Sequence, residues 1–500
     1  MNNKNLFKVF LGGLVMFSVV FYSCTDLAVI ATDSEFIELE GGAITADPAD
    51  LLATNYNDLG SVTDQANIYS LSAHSSDEMI PPTRGVDWGD NGVWRTLHAH
   101  TWDPAHSYVL GAWNQLNERV FRCNRTLAAS PDASQEAQAR FLRAWYMHQV
   151  MDLFGVAPFR NVTDGVDVNP QVFTRTEAFN FIMDDLTAAL PNLPVGGPAF
   201  DNTTATTAAC NYLIAKMHLN RAVYTAGDPA GPYTFDGADM DAVIAAVDAI
   251  TGDGYSLEAD FYDLFNAAGN TETILASPTG SGNNRVRMTL HYSQNPSGWN
   301  GFTTLSDFYD KFDDGDIRKG LDATPDGSAF SGIGLGLLFG QQYNDDGTET
   351  IDSRTSLPLF FTRDVPLAGA GTDKGIRVMK YHPATVDNSK YVLMRYADAY
   401  LMKAEALMRK GETAQAMMMV NDLRDLRGAP DLASLDEAAM LDERGRELYW
   451  EGYRRTDLVR FSKFNDAWQE KPASESYRVL FPIPALALAS NPNLTQNPGY

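Results

Sequence analysis

Residues 443–458 read ERGRELYWEGYRRTDL, a stretch that mixes acidic and basic side chains at helical spacing. Its charged residues that lie one turn apart are Glu443 with Arg446, Glu447 with Glu451, and Arg454 with Asp457. Because residues at this spacing share a helix face, the pattern favours ion pairs that lock two helices together. The alternative is a pair of catalytic carboxylates, but a glycosidase needs two of them facing one cleft at a defined separation. We therefore expect a structural role.

A helix pair precedes this stretch at residues 397–430. Ala404, Gly411 and Ala416 lie at the separations of the small positions in a tetratricopeptide unit of about 34 residues. Small residues let two antiparallel helices approach closely, and Pro430 stands just past the end of the unit.

Helical periodicity also recurs in the first half of the chain. Gly155 and Pro158 end the second of these segments, as helix-breaking residues should. The predicted helices are Ala112–Leu127, Ser134–Phe154, Thr176–Leu190, Thr204–Ala226 and Met240–Thr251. The sequence thus predicts a mainly α fold, with helical repeats at about 105–255 and 391–467.

Residues 270–390 have a different composition, rich in Gly, Asn, Asp, Ser and aromatic residues. We expect short β-like pieces here, such as Val286–Tyr292, and a return to helices at Tyr391. Long irregular segments within a folded chain usually carry recognition surface. This loop-rich region is therefore the expected ligand face.

Composition and charge narrow the class of protein. The 500 residues are 44% hydrophobic, and 38 Lys and Arg oppose 64 Asp and Glu, for a formal net charge of -26. Such an acidic surface repels phosphate backbones, so we expect no nucleic-acid partner. A uniformly polyanionic ligand is disfavoured for the same reason.

The N-terminus predicts an export signal. Lys4 and Lys8 precede an apolar run, Val9–Phe21, that is too short to span a bilayer, and Cys24 follows the small Ser23. We expect a lipoprotein signal at 1–23, acylation (palmitate) of Cys24, a tether and first turn at 24–55, and a single domain at 56–500. An ordinary signal peptide is the alternative. Cys123 and Cys210 would remain as a disulfide or as buried, inert thiols.

The candidate metal sites in the sequence are weak, and we predict neither a metal nor a cofactor. His98 and His100, with His106 nearby, form a histidine cluster, but no third metal ligand follows at a recognisable spacing. We therefore expect polar loop histidines. Asp313–Asp316 and Asp345–Gly347 hint at calcium loops but do not continue as an EF-hand, which favours solvated turns. The sequence also contains no phosphate-binding loop and no Gly-x-Ser-x-Gly motif.

Two stretches combine aromatic residues with Asp, Asn and Arg, as carbohydrate binding requires. Aromatic faces pack against the C–H faces of sugar rings, while polar groups bond the hydroxyls. Trp88 and Trp299, between Gly, Asp and Asn residues, are expected to be the most exposed. The candidate ligand-binding residues are Asp77, Arg84, Trp88, Trp94, Tyr292, Trp299 and Asn300.

Several stretches together resemble the SusD/RagB family of outer-membrane nutrient-binding lipoproteins of Bacteroidetes. Residues 391–407 (YVLMRYADAYLMKAEAL) are similar to the family's signature helix, and 421–428 to its next helix. Residues 443–458 resemble its most distinctive motif, and 480–484 (LFPIP) with 491–500 (NPNLTQNPGY) its usual ending.

The resemblance implies a scaffold of about four tetratricopeptide-like helix pairs with an irregular ligand face. It further implies a non-catalytic protein that captures oligosaccharides and delivers them to a SusC-like TonB-dependent transporter in the outer membrane. A peptide-binding RagB-like protein with the same partner is one alternative, and a surface glycosidase is another. Surface export in such lipoproteins usually requires several acidic residues just after the lipidated cysteine, and here only Asp26 lies close behind Cys24. The cell exterior is still the expected location.

Overall fold

The computed structural model describes residues 46–165, 167–266, 270–277, 286–385 and 390–500, and the backbone of 39–40 and 43–44. Helices dominate, so the predicted mainly α fold is confirmed. The predicted signal at 1–23 and the lipidation site Cys24 lie outside the described residues.

Fourteen helices run through the described chain, and short N-terminal caps fix where several of them begin. Asp132 and Gln135 form a capping box on one helix, and Thr174 and Glu177 form another, each satisfying amide groups that the first turn leaves unpaired. The helices are α1 Pro48–Asn57, α2 Ile68–Ala73, α3 Val93–His98, α4 Ser107–Ala128, α5 Ala133–Phe154, α6 Arg175–Ala189, α7 Thr207–Tyr224, α8 Gly237–Gly252, α9 Ser306–Tyr309, α10 Tyr396–Arg409, α11 Thr413–Leu426, α12 Glu437–Leu448, α13 Arg454–Arg460 and α14 Ala485–Ser490.

The long helices pack in chain order. Helices α4 to α7 each pack against the next one, α8 packs against α10, and α10 packs against α11 and α12. All five helices predicted in the first half of the chain are present, with ends within a few residues of expectation. The predicted pair at 397–430 is also confirmed as α10 and α11, which are joined at Gly411. That glycine has φ +86°, which residues with a side chain rarely adopt.

Short strands form small antiparallel sheets beside the helices. They are β1 Leu39–Glu40, β2 Ala43–Ile44, β3 Val156–Phe159, β4 Gln171–Thr174, β5 Thr273–Ser277, β6 Gly320–Leu321, β7 Leu335–Leu338, β8 Gly340–Gln341, β9 Phe360–Phe361, β10 Arg377–Met379 and β11 Tyr391–Arg395. The paired orders are β1-β2, β3-β4, β11-β5, β10-β7-β6 and β8-β9.

Two predictions of local structure were wrong. Val286–Tyr292 is not a strand: Val286 and Arg287 are helical and a turn follows, because the Leu290 amide bonds back to the Val286 carbonyl. Helices do not return at Tyr391 either, since Tyr391–Arg395 is strand β11, paired with β5. All five residues of β11 are buried, and a short buried strand looks like the start of a helix in sequence.

The two glutamates that begin the stretch 443–458 lie in a buried ion cluster. Glu443 accepts hydrogen bonds from Arg318 at 2.7 Å and from Arg446 at 2.6 Å. Glu447 lies 2.9 Å from both Arg395 and Arg427. We call this group the Glu443–Glu447 cluster; its six basic and six acidic members are Arg318, Lys380, Arg395, Arg424, Arg427 and Arg446, and Glu272, Asp313, Asp316, Glu443, Glu447 and Glu451.

The rest of the stretch forms further buried pairs. Arg444 lies 2.8 Å from Asp457 and 2.7 Å from Asp398 of α10, so α12, α13 and α10 are tied together. Arg454, one turn from Asp457, pairs instead with Asp77 at 2.6 Å. Arg455 pairs with Asp152 of α5 at 2.7 Å. Every charged residue of 443–458 is thus ion-paired, which accounts for the stretch without catalysis.

The cysteines and histidines singled out in the sequence have structural roles. Cys123 and Cys210 are buried free thiols, and burial raises the pKa of Cys210 to about 12. His98, His100 and His106 are all buried, and His98 lies in α3 rather than in a loop. His98 contacts the carbonyls of Met79 and Gln469, and His100 that of Ser75. Within the described residues no group of His, Cys, Asp and Glu could hold a metal ion. No helix among them is long and apolar enough to cross a membrane.

The ion pairs make stability depend on acid pH. Burial raises the pKa of Glu443, but Arg318, Arg446 and Arg424 outweigh it and lower that pKa to about 2. The native pKa is then below the unfolded value, so the stabilisation is complete above about pH 4.5 and is lost as pH falls toward 2. We predict that the free energy of unfolding, measured by urea titration, drops by about 3 kcal/mol over this window from Glu443 alone.

The matched variants for this prediction are Glu443→Gln and Glu475→Gln, the second at an exposed glutamate. Glu443→Gln should lose about 3–5 kcal/mol at pH 7, because it leaves buried arginines without a counter-charge, and should show a shallower acid dependence. Glu475→Gln should behave like the unmodified chain. Equal stability of both variants across the pH range would contradict the prediction.

Candidate ligand-binding surface

Two of the predicted ligand-binding residues are buried supports of the loops. Arg84 is only 1% exposed; its Nε donates to the Asn300 carbonyl at 2.7 Å and its Nη2 to the Lys374 carbonyl at 2.7 Å. Burial lowers the pKa of Arg84 to about 10. The Asn300 side chain is fully buried and donates to the Thr372 carbonyl at 3.0 Å. Together they fasten the segment near 300 to the loop at 371–374.

Asp77 also has a partner within the protein. The Arg454 guanidinium donates to both oxygens of its carboxylate, at 2.6 and 2.8 Å. Burial raises the pKa of Asp77, but Arg454 outweighs it and leaves that pKa below its usual value. Asp77 therefore connects the N-terminal part of the chain to α13.

Trp94 is buried, and its ring supports Trp88. Trp94 is 3% exposed, its indole N–H donates to Asp90 at 2.6 Å, and its ring packs edge-on against Trp88 at 5.6 Å. Trp88 is half-buried, with φ +60°, and also packs against Phe302 at 4.7 Å.

Trp88 and Trp299 meet although 211 residues separate them. The Trp88 indole N–H donates to the Trp299 carbonyl at 3.0 Å, and the ring centroids are 6.5 Å apart. Trp299 is 37% exposed. Gly301 makes the approach possible, since a Cβ there would lie 2.4 Å from the Trp88 ring. The two tryptophans that the sequence marks as most exposed thus lie side by side.

A polar group lies beside Trp88. The Tyr292 hydroxyl donates to Asp87 Oδ2 at 2.6 Å, and Arg354 Nη2 donates to the same oxygen at 2.9 Å. The Arg354 guanidinium also lies over the Tyr292 ring, 4.1 Å from its centroid. The hydrogen bond from Tyr292, with help from Arg354, lowers the pKa of Asp87, so the carboxylate is charged at neutral pH. We call Asp87, Trp88, Tyr292, Trp299 and Arg354 the Trp88–Trp299 surface.

Of the predicted site residues, Trp88, Tyr292 and Trp299 come together on this surface. The other four offer no free polar group there, because their polar atoms bond within the protein: Asp77, Arg84, Trp94 and Asn300. Arg354 is a member that sequence reasoning missed. It is a single arginine between Ser353 and Thr355 in the irregular region, and no spacing or motif distinguishes it. Its side chain is 49% exposed, so part of the guanidinium faces solvent.

A second group of exposed aromatic residues lies on the same loop-rich region. Phe339 and Phe360 are 43% and 48% exposed, and their ring centroids are 5.9 Å apart. Phe339 lines a cleft of about 730 Å³ together with Tyr309, Lys319 and Tyr343. Gln294 of the Tyr292–Trp299 loop bonds Gln342 of this cleft at 3.1 Å, so the two areas are adjacent.

Comparison with known sequences identifies relatives of part of the chain. Residues 271–500 match the model of the SusD family. SusD-like protein P38 from Formosa agariphila is 34% identical over 152 residues, 27% of this chain and 30% of that protein. Starch-binding protein SusD from Bacteroides thetaiotaomicron is 35% identical over 130 residues, 23% of each chain. The chain thus spans less than a third of the length of these relatives.

Solved structures match over most of the chain. Surface glycan-binding protein A from Bacteroides fluxus has a TM-score of 0.67 and 20% identity, covering 91% of this chain and 99% of that one. A laminarin-binding SusD-like protein has a TM-score of 0.67 and 22% identity over the same shares. A SusD superfamily protein from Parabacteroides distasonis reaches 0.70 at 17% identity, covering 91% and 98%. At these identities the likeness establishes the fold. The resemblance stated from the sequence is confirmed for residues 271–500 by the match to the family model.

Proposed function

We propose that this chain, a SusD-family protein by the sequence of residues 271–500 and by its fold, is a non-catalytic binding protein for oligosaccharides. The observation that carries the proposal is the Trp88–Trp299 pair, in which Trp299 is exposed and Trp88 is half-buried, beside a charged, hydrogen-bonding group. In this proposal the protein passes its ligand to a SusC-like TonB-dependent transporter.

The chemistry of the Trp88–Trp299 surface suits a sugar. The two indole rings, 6.5 Å apart and inclined by 47°, offer apolar faces for the C–H side of sugar rings. Asp87 accepts hydrogen bonds and Arg354 donates them, which is what the rim of a sugar ring requires. The names of the relatives, starch-binding, laminarin-binding and surface glycan-binding, support the same class of ligand.

The charge of the chain favours a neutral oligosaccharide. The formal net charge is -26, and the surface group itself contains one carboxylate and one guanidinium that neutralise each other. A polyanionic glycan would approach against the field of the whole protein, with little local compensation. A peptide is the alternative ligand, with the same transporter as partner.

We predict that Trp299→Ala weakens the binding of neutral oligosaccharides by about 1–3 kcal/mol without unfolding the protein, as loss of a stacking anchor should. Trp88→Ala should weaken it similarly. Isothermal titration calorimetry with maltooligosaccharides and laminarioligosaccharides measures both, and thermal melting checks the fold.

Phe339→Ala is the matched control, since it removes an exposed aromatic ring of the neighbouring cleft. The site would lie in that cleft instead if Phe339→Ala weakened binding while Trp299→Ala and Trp88→Ala left the affinity unchanged. New reducing ends released from the oligosaccharides would instead favour the glycosidase.

The proposed location is the outer membrane. A lipid on Cys24 anchors the protein there, and the protein faces the cell exterior. We predict that Cys24→Ala abolishes incorporation of labelled palmitate and releases the protein from the membrane fraction, because a polypeptide without an acyl chain has nothing to insert into the membrane.

The acylated protein without this substitution, extracted in detergent, should co-purify with a large barrel subunit. Purification of the acylated protein alone would count against the transporter partner.

A further inference from the structure

A cavity inside the helical scaffold has the chemistry of a separate binding site. It lies between α2, α5, β11 and the segment 451–456, and has a volume of about 100 Å³. Because a cavity of about 10–15 Å³ on this measure holds one water, the space exceeds a single water several-fold. It shares no lining residue with the Trp88–Trp299 surface, so the inference does not rest on the proposed function.

Three residues on one face of α5 line the cavity, and each has a buried polar atom without a partner in the described structure. Trp145, His148 and Gln149 lie at positions i, i+3 and i+4, which share a helix face. Trp145 Nε1, His148 Nδ1 and Gln149 Nε2 are buried without a hydrogen bond. Trp145 and His148 are only 7% and 6% exposed. Unsatisfied buried polar groups are costly, so three on one cavity wall indicate a missing partner.

The direction of these missing hydrogen bonds follows from a chain of contacts. The Tyr224 hydroxyl donates to the Asp152 carboxylate at 3.1 Å, so its oxygen accepts from His148 Nε2 at 2.9 Å. Burial lowers the pKa of His148 to about 4, which keeps the ring neutral. His148 Nδ1 is therefore an acceptor, while Trp145 Nε1 and Gln149 Nε2 are donors. A ligand that both donates and accepts meets this pattern.

The other walls define the charge and shape of the ligand. The charged residues of the lining are neutralised within the protein: Asp152 by Arg455 at 2.7 Å, Lys216 by Asp398 at 3.0 Å and Glu451 by Arg395 at 2.8 Å. Apolar and aromatic side chains form much of the remaining lining, including Val62, Ile68, Leu153, Val392, Leu393 and Tyr453. The C–H groups of a polyhydroxylated molecule pack against these walls.

We infer that this cavity is a second binding site, for a small neutral polyhydroxylated molecule no larger than a single sugar ring. Half-buried Ser72, Gln149, Gly452 and Thr456 lie at its wall and leave it accessible from the surface. Hydroxyl groups of the ligand accept from Trp145 and Gln149 and donate to His148.

Fluorine NMR of the full chain labelled with 5-fluorotryptophan tests the inference. The chain contains eight tryptophans, and Trp145→Phe and Trp299→Phe assign the two signals that matter. Glucose and glycerol are the probes, and glucuronate is the charged comparison. We expect one or both neutral probes to shift the Trp145 signal saturably at about 1–10 mM, and glucuronate to bind about tenfold or more weakly. The shift should persist in Trp299→Ala, whatever that variant does to oligosaccharide binding.

Two variants make the result specific. Gln149→Met keeps the side-chain size and removes the donor, so it should weaken the neutral probes about tenfold or more. His148→Phe removes the acceptor and should do the same, with melting as the check on folding. Gln415→Met, at an exposed glutamine, should change nothing. A Trp145 signal that neither probe shifts saturably, or a saturable shift that survives Gln149→Met, would overturn the inference.

Discussion

The structure depends on two carboxylates of α12, Glu443 and Glu447, which hold arginines from distant parts of the chain in one buried cluster. Glu447 alone contacts Arg395 of β11, Arg427 after α11 and Arg318 of the irregular region, all within 3.0 Å. Removing charges from water costs several kcal/mol each, and only complete pairing repays it. The cluster sets six bases opposite six acids, of which Asp313 is partly exposed, so the segments that carry the buried members assemble together.

This cluster couples the helical repeats to the loop-rich face. Arg318 lies within the sequence region that carries Tyr292, Trp299 and Arg354, Arg395 follows that region, and both arginines pair with glutamates of α12. Arg84, from the N-terminal part of the chain, fastens the loop at 371–374 to Asn300 by hydrogen bonds to backbone carbonyls. The Trp88–Trp299 surface is thus held by buried polar contacts, and its rings need no large rearrangement to meet a ligand.

Sequence reasoning reached the helices and the outline of the surface but not its details. Helices such as α5 have local signals, periodicity and a terminal glycine, whereas β11 is five buried residues whose pairing with β5 is a long-range contact. Arg84 and Asn300 are residue types that bind sugars, but their hydrogen-bond partners lie 216 and 72 positions away in the sequence. The sequence therefore did not reveal that both side chains are buried. Sequence reasoning missed Arg354 for the same reason, since its partner Asp87 lies 267 positions away.

Hydrogen exchange of Glu447→Gln against Glu475→Gln tests most directly whether the Glu443–Glu447 cluster holds the loops to the helices. Breaking a buried ion pair costs about 3 kcal/mol or more, which corresponds to about 100-fold faster opening. The account predicts that amides of 317–319 and 391–395 exchange about 100-fold faster in Glu447→Gln only, an increase larger than that of the α4 amides. Unchanged exchange at 317–319 and 391–395 in Glu447→Gln would contradict it.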